Sequence, residues 1–367
     1  MKKYFLLACA LGAFGVADAA TVQFSSPDKK LVVTVADDGG RPVYRVDYGE
    51  TTFLAPSPLG LLTNIGDFSQ GMALQESSFA VSPVSGHYEL PTIKRSKVDV
   101  QATKAVCPFY KDGKHIFDVV FHVSDHDVAF KYKVYPQGNT LCCVVKEETT
   151  GFVLPQGTTT FLCPQSGPMG GFARTSPSYE TGYTVDNEMG KNGWGHGYTF
   201  PCLFRTGDKG WVLISETGVD SRYCASRLMG KDGGLYTIGF PQEGEYNGNG
   251  TTSPGISLPG ETPWRTITVG QTLAPIVETT IPYDVVEPLY EPSRRYVYGR
   301  GTWSWIIAGD NSMNYEDQKR YVDFAADMGY ESVLVDAWWD SRVGHERIAE
   351  LARYAAAKGV GLYLWYN

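Results

Sequence analysis

The hydrophobic period of this chain changes once, across a short proline-punctuated stretch. From Thr21 to about Thr280 apolar residues alternate, which is the period of about 2 residues that a half-buried strand requires. Pro275, Pro282, Pro288 and Pro292 then interrupt the pattern. Beyond them apolar positions recur every 3 or 4 residues, the spacing of one helix face at about 3.6 residues per turn. The two periods demand different layers, so the chain is expected to form an all-β unit over residues 21–280, a connector over 281–295 and an α/β unit over 296–367.

Within the first unit, Leu31–Val35 and Val43–Tyr48 flank Asp37-Asp38-Gly39-Gly40, the pattern of a β-hairpin. Val119–Val123, Ala129–Val134 and Trp211–Ile214 continue the strand character, and turn clusters recur at Pro136–Asn139 and Asn247–Gly250. No convincing helix interrupts this region. So many strands in one domain imply a supersandwich of two extended antiparallel sheets.

The second unit has three short apolar runs, Tyr296–Tyr298, Ser332–Val335 and Gly361–Leu364, separated by two amphipathic segments. That rhythm predicts parallel strands with right-handed crossovers, the start of a (β/α)8 barrel. Asn314 is the expected N-cap of the first helix, with Asp317 at the capping-box position. Its inward face is expected at Tyr321, Phe324, Ala325 and Met328, and its stop at Gly329. The second helix presents Ile348, Leu351, Ala352 and Ala355 and stops at Gly359. A closed barrel needs about 250 residues, so 296–367 reads as an incomplete barrel; a small independent βαβαβ domain is the alternative.

The N-terminus reads as an export signal over residues 1–20: basic Lys2-Lys3, an apolar run from Tyr4 to Val16, and the small-x-small site Ala17-Asp18-Ala19. A periplasmic, secreted or outer-membrane-associated protein is therefore expected. No later run is long enough for a membrane span. The net charge of −8 offers no basic footprint for nucleic acid. Cys107, Cys142, Cys143, Cys163, Cys202 and Cys224 follow the signal; they fit disulfides or buried small hydrophobes equally well. Adjacent Cys142 and Cys143 should face opposite sides of a strand.

Aromatic and acidic residues crowd the expected strand ends: Trp303 and Trp305, then Asp336, Trp338 and Trp339, then Trp365, Tyr366 and Asn367. In barrels that face carries the active site. Asp336 suits a sugar hydroxyl, a cation or acid/base work, and equally a structural Asp bonding loop amides. Five of the 8 Trp residues lie between Trp303 and Trp365. Flat apolar faces with few directed polar groups suit a pyranose ring, which tilts the reading toward an oligosaccharide. In the β region, Ser178–Tyr183 and Asn187–Tyr198 form a polar, aromatic, glycine-rich segment that reads as a solvated loop or a binding loop. Oxygen ligands there would suit Ca²⁺, although no EF-hand spacing exists. Glu216, with Arg205 and Arg222 nearby, reads as a structural ion pair. His345 begins the second helix and should be exposed. Gly299-Arg300-Gly301 is no dinucleotide fingerprint, and GxSxG, P-loop and HExxH motifs are absent from the sequence.

At Ser26-Pro27-Asp28, Phe200–Arg205, Ser215–Val219, Thr262–Ile267, Tyr315–Met328 and Leu334-Val335-Asp336-Ala337-Trp338 the chain resembles glycoside hydrolase family 97, Bacteroidetes-type α-glucosidases and α-galactosidases. The resemblance implies a calcium-dependent exo-α-glycosidase, with Glu180 giving a carboxylate to the Ca²⁺ and the sandwich completing the barrel's pocket. It places Asn367 where inverting members carry a Glu base, which resembles the retaining branch. The nucleophile and acid/base would come from later strands, so the chain as given is expected to be inactive or very weak. Asp336, Trp338, Trp303 and Asn367 are the expected substrate-binding residues. A carbohydrate-binding β-sandwich without catalysis and a structural adhesion protein are the competing functions.

Overall fold

The computed structural model describes residues 19–90, 93–167, 177–179, 181–190, 193–248, 250–294, 296 and 298–366. All but the last two residues of the expected signal segment lie outside that set, as do Glu180 and Asn367. The chain divides into two compact units after Glu287. Among the described residues no helix is long and apolar enough to cross a membrane.

The first unit is built from two large antiparallel sheets. One has 7 strands, beginning with the meander Thr21–Ser25, Leu31–Asp38, Arg41–Tyr48 and Thr51–Pro58. The other has 11 strands, with Lys97–Lys111, Lys114–Val123, Asp127–Val134, Trp264–Gly270 and Gly210–Thr217 at its centre. A smaller sheet of 4 strands accompanies them. The first hairpin forms where the sequence predicts it: Gly39 and Gly40 take φ of 58° and 80°, the pair of left-handed residues that a tight twisted turn needs. Alternating residues of the sheets meet in one aromatic-rich core. Phe24 and Tyr44 of the first sheet lie 5.1 Å, ring to ring, from Phe121 and Phe130 of the second. Burying each such ring removes roughly 2–3 kcal/mol worth of apolar surface from water.

Lys114–Val123 departs from alternation. Every residue from Ile116 to Val123 is buried, so both faces of this strand are covered. Apolar residues fill most of it, as expected for a doubly buried strand, but Asp118 and His122 do not. The expected connector is also partly folded. Ile281–Asp284 is a helical turn with Ile281 buried, and Tyr88 donates to Asp284 at 2.5 Å. Residues 281–284 therefore belong to the first unit.

The second unit holds a parallel sheet of three strands, Gly301–Trp303, Ser332–Val335 and Gly361–Leu364. Helices Tyr315–Asp327 and His345–Ala357 make the crossovers. The first strand is Gly301–Trp303; of the expected Tyr296–Tyr298, Val297 lies outside the described residues, and Tyr296 and Tyr298 are not in a strand. The register explains the shift: Gly301 sits opposite Ser332, where an added Cβ would come 2.6 Å from the Ser332 hydroxyl. Arg300 and Glu331 are also joined by two hydrogen bonds, backbone amide to carboxylate and backbone amide to carbonyl. Pairing thus favours the glycine-bearing segment over the aromatic one.

Asn314 caps the first helix as expected, its Oδ1 accepting from the Asp317 amide at 2.9 Å and its Nδ2 donating to the Asp317 carboxylate. The inward face differs from expectation. Gln318, Val322 and Ala325 are buried, whereas Phe324 and Met328 are exposed. Gln318 is drawn inward because its Nε2 donates to Ser304 Oγ and to the Ser312 carbonyl, both at 2.8 Å. In the second helix Ile348, Leu351 and Ala355 are buried as expected, and His345 is exposed. The six cysteines form no disulfide; Cys143 is buried and its neighbour Cys142 exposed.

Candidate functional site

Two kinds of polar cluster exist in the described residues, and they have opposite character. The first lies at the carboxyl ends of the parallel strands. Asp336 directly follows Val335 and is 7% exposed. Trp303, the last residue of the first strand, donates its indole Nε1 to Asp336 Oδ2 at 2.5 Å. Oδ1 accepts from the Ala337 amide at 2.6 Å. An ionised carboxylate has about four acceptor directions, so two remain for hydroxyl groups. The amide bond is the structural alternative expected for Asp336.

Trp303 stacks on Trp305, with centroids 5.9 Å apart and ring planes 17° from parallel. Trp305 Nε1 donates to Asp310 Oδ1 at 3.1 Å, and Arg342 Nη1 donates to the Asp310 carbonyl at 2.5 Å. Asp310 thus orients the outer indole, a role no spacing in the sequence announces. Trp338 adopts φ 68°, ψ 9°, a left-handed conformation that a bulky side chain takes only at a cost of roughly 1–2 kcal/mol. It remains 40% exposed, and its carbonyl accepts from the Arg342 amide. Such strained residues concentrate at functional sites. Trp339, by contrast, is core: it is buried, and its Nε1 donates to the Trp365 carbonyl.

The second kind of cluster is sealed inside the first unit. Arg265 is wholly buried between two carboxylates. Its Nε and Nη2 grip Glu148 at 2.8 and 2.6 Å, and its Nη1 donates to Glu216 at 2.5 Å and Ser226 Oγ at 3.0 Å. Ser226 donates twice to Glu216, and the Tyr223 hydroxyl donates to Glu148. Desolvation opposes charge on Arg265, but Glu148 and Glu216 outweigh it and raise its pKa further. Glu216 is a structural ion-pair residue, as expected, but Arg205 and Arg222 are not its partners. Arg265 lies directly across the antiparallel ladder from it, while Arg205 pairs with Asp186 and Arg222 with Asp220. Arg227 and Glu245 form a second buried bidentate pair.

Glu180, expected as a metal ligand, and Asn367, expected to bind substrate, lie outside the described residues. The flanking segment is held by Ser178, whose backbone exchanges hydrogen bonds with Ser166 at 2.6 and 2.7 Å, and by the Cys163 thiol, 3.3 Å from the Thr181 carbonyl. Among the described residues no three His, Cys, Asp or Glu side chains converge as a metal site.

Comparison with known proteins agrees with this architecture. The model of the glycosyl-hydrolase 97 N-terminal region matches residues 24–288. The chain is 31% identical, over 94% of its length, to a probable retaining α-galactosidase of Streptomyces bingchenggensis, and covers 51% of that protein. A solved β-arabinopyranosidase superposes with TM-score 0.88 at 53% identity, over 94% of this chain and 55% of the other. A family 97 enzyme from Pseudoalteromonas sp. strain K8, solved with panose, shares the fold at TM-score 0.73 and 21% identity, over 93% of this chain and 53% of its own. The chain thus spans about half the length of the relatives it matches. With its supersandwich, its parallel strands and the family match across most of its length, this chain belongs to glycoside hydrolase family 97.

Proposed function

We propose that the chain is part of a retaining exo-α-glycosidase, α-galactosidase-like, that releases a terminal sugar from an oligosaccharide in glycan utilisation. The observation that carries this reading is the Trp303–Asp336 pair at the strand ends, an apolar platform with a carboxylate whose free acceptor directions suit sugar hydroxyls. The names of the relatives support the galacto configuration. A β-L-arabinopyranoside has the ring configuration of an α-D-galactopyranoside without its hydroxymethyl group, so an arabinopyranosidase and a galactosidase can share one pocket shape. Asp336, Trp303, Trp338 and Asn367 would bind this sugar, and Glu180 would hold a Ca²⁺ that positions it. Export to the periplasm fits the N-terminal residues.

A retaining enzyme needs two carboxyl groups about 5–5.5 Å apart. Asp336, with both oxygens engaged by Trp303 and Ala337, suits binding better than nucleophilic attack. We therefore assign the cleaving carboxylates to segments other than those described, and the chain by itself binds sugar without turning it over. The test is to assay it on p-nitrophenyl α-galactoside, α-glucoside and β-L-arabinopyranoside with Ca²⁺ and with chelator, and to titrate galactose by tryptophan fluorescence. The expected result is saturable galactose binding, lost in Trp338→Ala, without hydrolysis. Turnover like that of a full-length relative would overturn the division of roles. Absence of sugar binding would overturn the platform.

A further inference from the structure

A second site of different chemistry lies on the outer face of the large sheet, in the first unit. There a groove of about 410 Å³ runs over Lys114–Val123 and its neighbours, with His122, Lys104, Lys131, Lys133, Trp264 and Asp284 among its lining residues. Its geometry follows from register. His122 sits across from Lys104 on one side and Ala129 on the other, Val120 across from Val106 and Lys131, and Asp118 across from Lys133. All of these side chains leave the same face of the sheet.

Hydrogen-bond accounting shows what the groove lacks. Its three carboxylates already have donors: Asp118 accepts from the Tyr135 hydroxyl and contacts His115, Glu261 accepts from Lys131, and Asp284 accepts from Tyr88 and Thr280. Its donors are not matched in the same way. Among the described residues neither Lys104 nor Lys133 has a carboxylate within ion-pair distance; Lys133 only overlies the Tyr135 ring at 5.5 Å. His122 is 6% exposed, and neither of its ring nitrogens has a hydrogen-bond partner. A buried imidazole with both nitrogens unpaired is costly, on the order of 1–3 kcal/mol per unsatisfied group. Native structures keep such groups where a ligand or water completes them.

We propose that this groove is a binding site for a compact oxyanion, a phosphate, a sulfate or the carboxylate of an acidic sugar, held by Lys104, Lys133 and His122. The surplus is one of donors, so the ligand must bring acceptors. Lysine ammonium groups supply charge-assisted bonds at the rim, and the imidazole, sealed beneath them, supplies a bond at the floor once the side chains above it part to admit the ligand. The imidazole can also accept from a hydroxyl on the same ligand, which favours a hydroxylated acid over a bare ion. Lys131 is committed to Glu261 and to the Trp264 face, 4.5 Å from its centroid, and so walls the groove rather than serving the ligand. This site is independent of the strand-end platform and stands or falls separately from it.

The full chain should be titrated by calorimetry with inorganic phosphate, sulfate, D-galacturonate and, as the neutral control, D-galactose. The imidazole signal of His122 is followed by NMR and assigned by its absence in His122→Gln. The expected result is saturable binding of at least one of the anions with a shift of the His122 signal. It should weaken about tenfold or more in Lys104→Glu, an exposed change that leaves the fold intact. Phosphate and sulfate binding without galacturonate would identify a free inorganic ion as the ligand; preference for galacturonate would identify an acidic sugar. No saturable anion binding in the millimolar range, unchanged binding in Lys104→Glu, or an equal His122 shift with galactose would overturn the proposal.

Discussion

Arg265 and Asp336 are both charged groups placed beside aromatic rings, yet they behave as opposites. Arg265 is completely enclosed, and every donor direction it uses ends on a partner within the first unit. Asp336 is nearly enclosed, but its carboxylate stands at strand ends beside indoles that remain partly open, and beside a tryptophan in a strained backbone conformation. A saturated charge fixes structure. A charge with acceptor directions left over, next to strain and exposed aromatic surface, keeps hydrogen-bonding capacity that the fold does not use. Burial alone does not tell these two charges apart; the hydrogen-bonding capacity each leaves unused does.

The largest effect is expected where saturation is broken. Arg265→Met leaves Glu148 and Glu216 buried without their counter-ion and should cost about 3–5 kcal/mol, read as a lower midpoint in urea unfolding at unchanged slope. If the variant unfolds at the wild-type midpoint, the network is not structural. Next, Asp336→Leu removes the acceptor for Trp303 Nε1 and the Ala337 amide. It should cost roughly 1–3 kcal/mol and abolish galactose binding; full stability together with full binding would erase the contrast between Arg265 and Asp336.

A smaller change is expected at Trp338. Glycine relieves the left-handed backbone but loses chain rigidity and indole packing, so Trp338→Gly should shift stability by less than about 1 kcal/mol. Galactose affinity, measured by fluorescence quenching, should nonetheless fall. A large loss of stability with affinity kept would make this residue core rather than platform. The smallest effect concerns pH. Burial lowers the pKa of His122 below its ordinary 6.5, with Asp284 opposing. The unfolded chain therefore takes up the proton first, and the stability that His122 contributes is present above the unfolded value and lost as pH falls through the folded one. Asp127 runs the other way: burial raises its pKa above 3.8 despite bonds from Thr268, Thr279 and Ser124. Its contribution is complete below the unfolded value and is lost as pH rises through the folded one. Thermal melts of His122→Gln should show a flatter acid limb below about pH 6.5 than the parent; an identical limb would show that another group sets it.

Local features of this molecule were legible in the sequence, and remote pairings were not. The Gly39-Gly40 turn, the Asn314 cap and the strands Ser332–Val335 and Gly361–Leu364 rest on neighbouring residues, and they form where residue chemistry predicts. Asp336 was legible for the same reason, as the residue that follows an apolar run. The partners of Glu216 were not. Arg265 is 49 positions away, and the Glu148 that completes the network is 117 positions from Arg265, whereas Arg205 and Arg222 were close in sequence and irrelevant. The inward turn of Gln318 was hidden likewise, because the hydroxyl and carbonyl that draw it in come from a loop without apolar pattern. The unpaired imidazole of His122 could have been suspected from one signal: a histidine inside a run of Val and Phe in a strand with no polar alternation.

Gly301 shows how far a missing side chain can reach. Its bare α-carbon lets the first two parallel strands close against Ser332, and two positions along, that approach is what holds Trp303 within reach of Asp336. An alanine there would meet the Ser332 hydroxyl at 2.6 Å and the Ser332 carbonyl oxygen at 3.2 Å, so the hydroxyl would have to turn away and the strands ease apart, and the fit of the proposed platform leans on a position that carries no side chain.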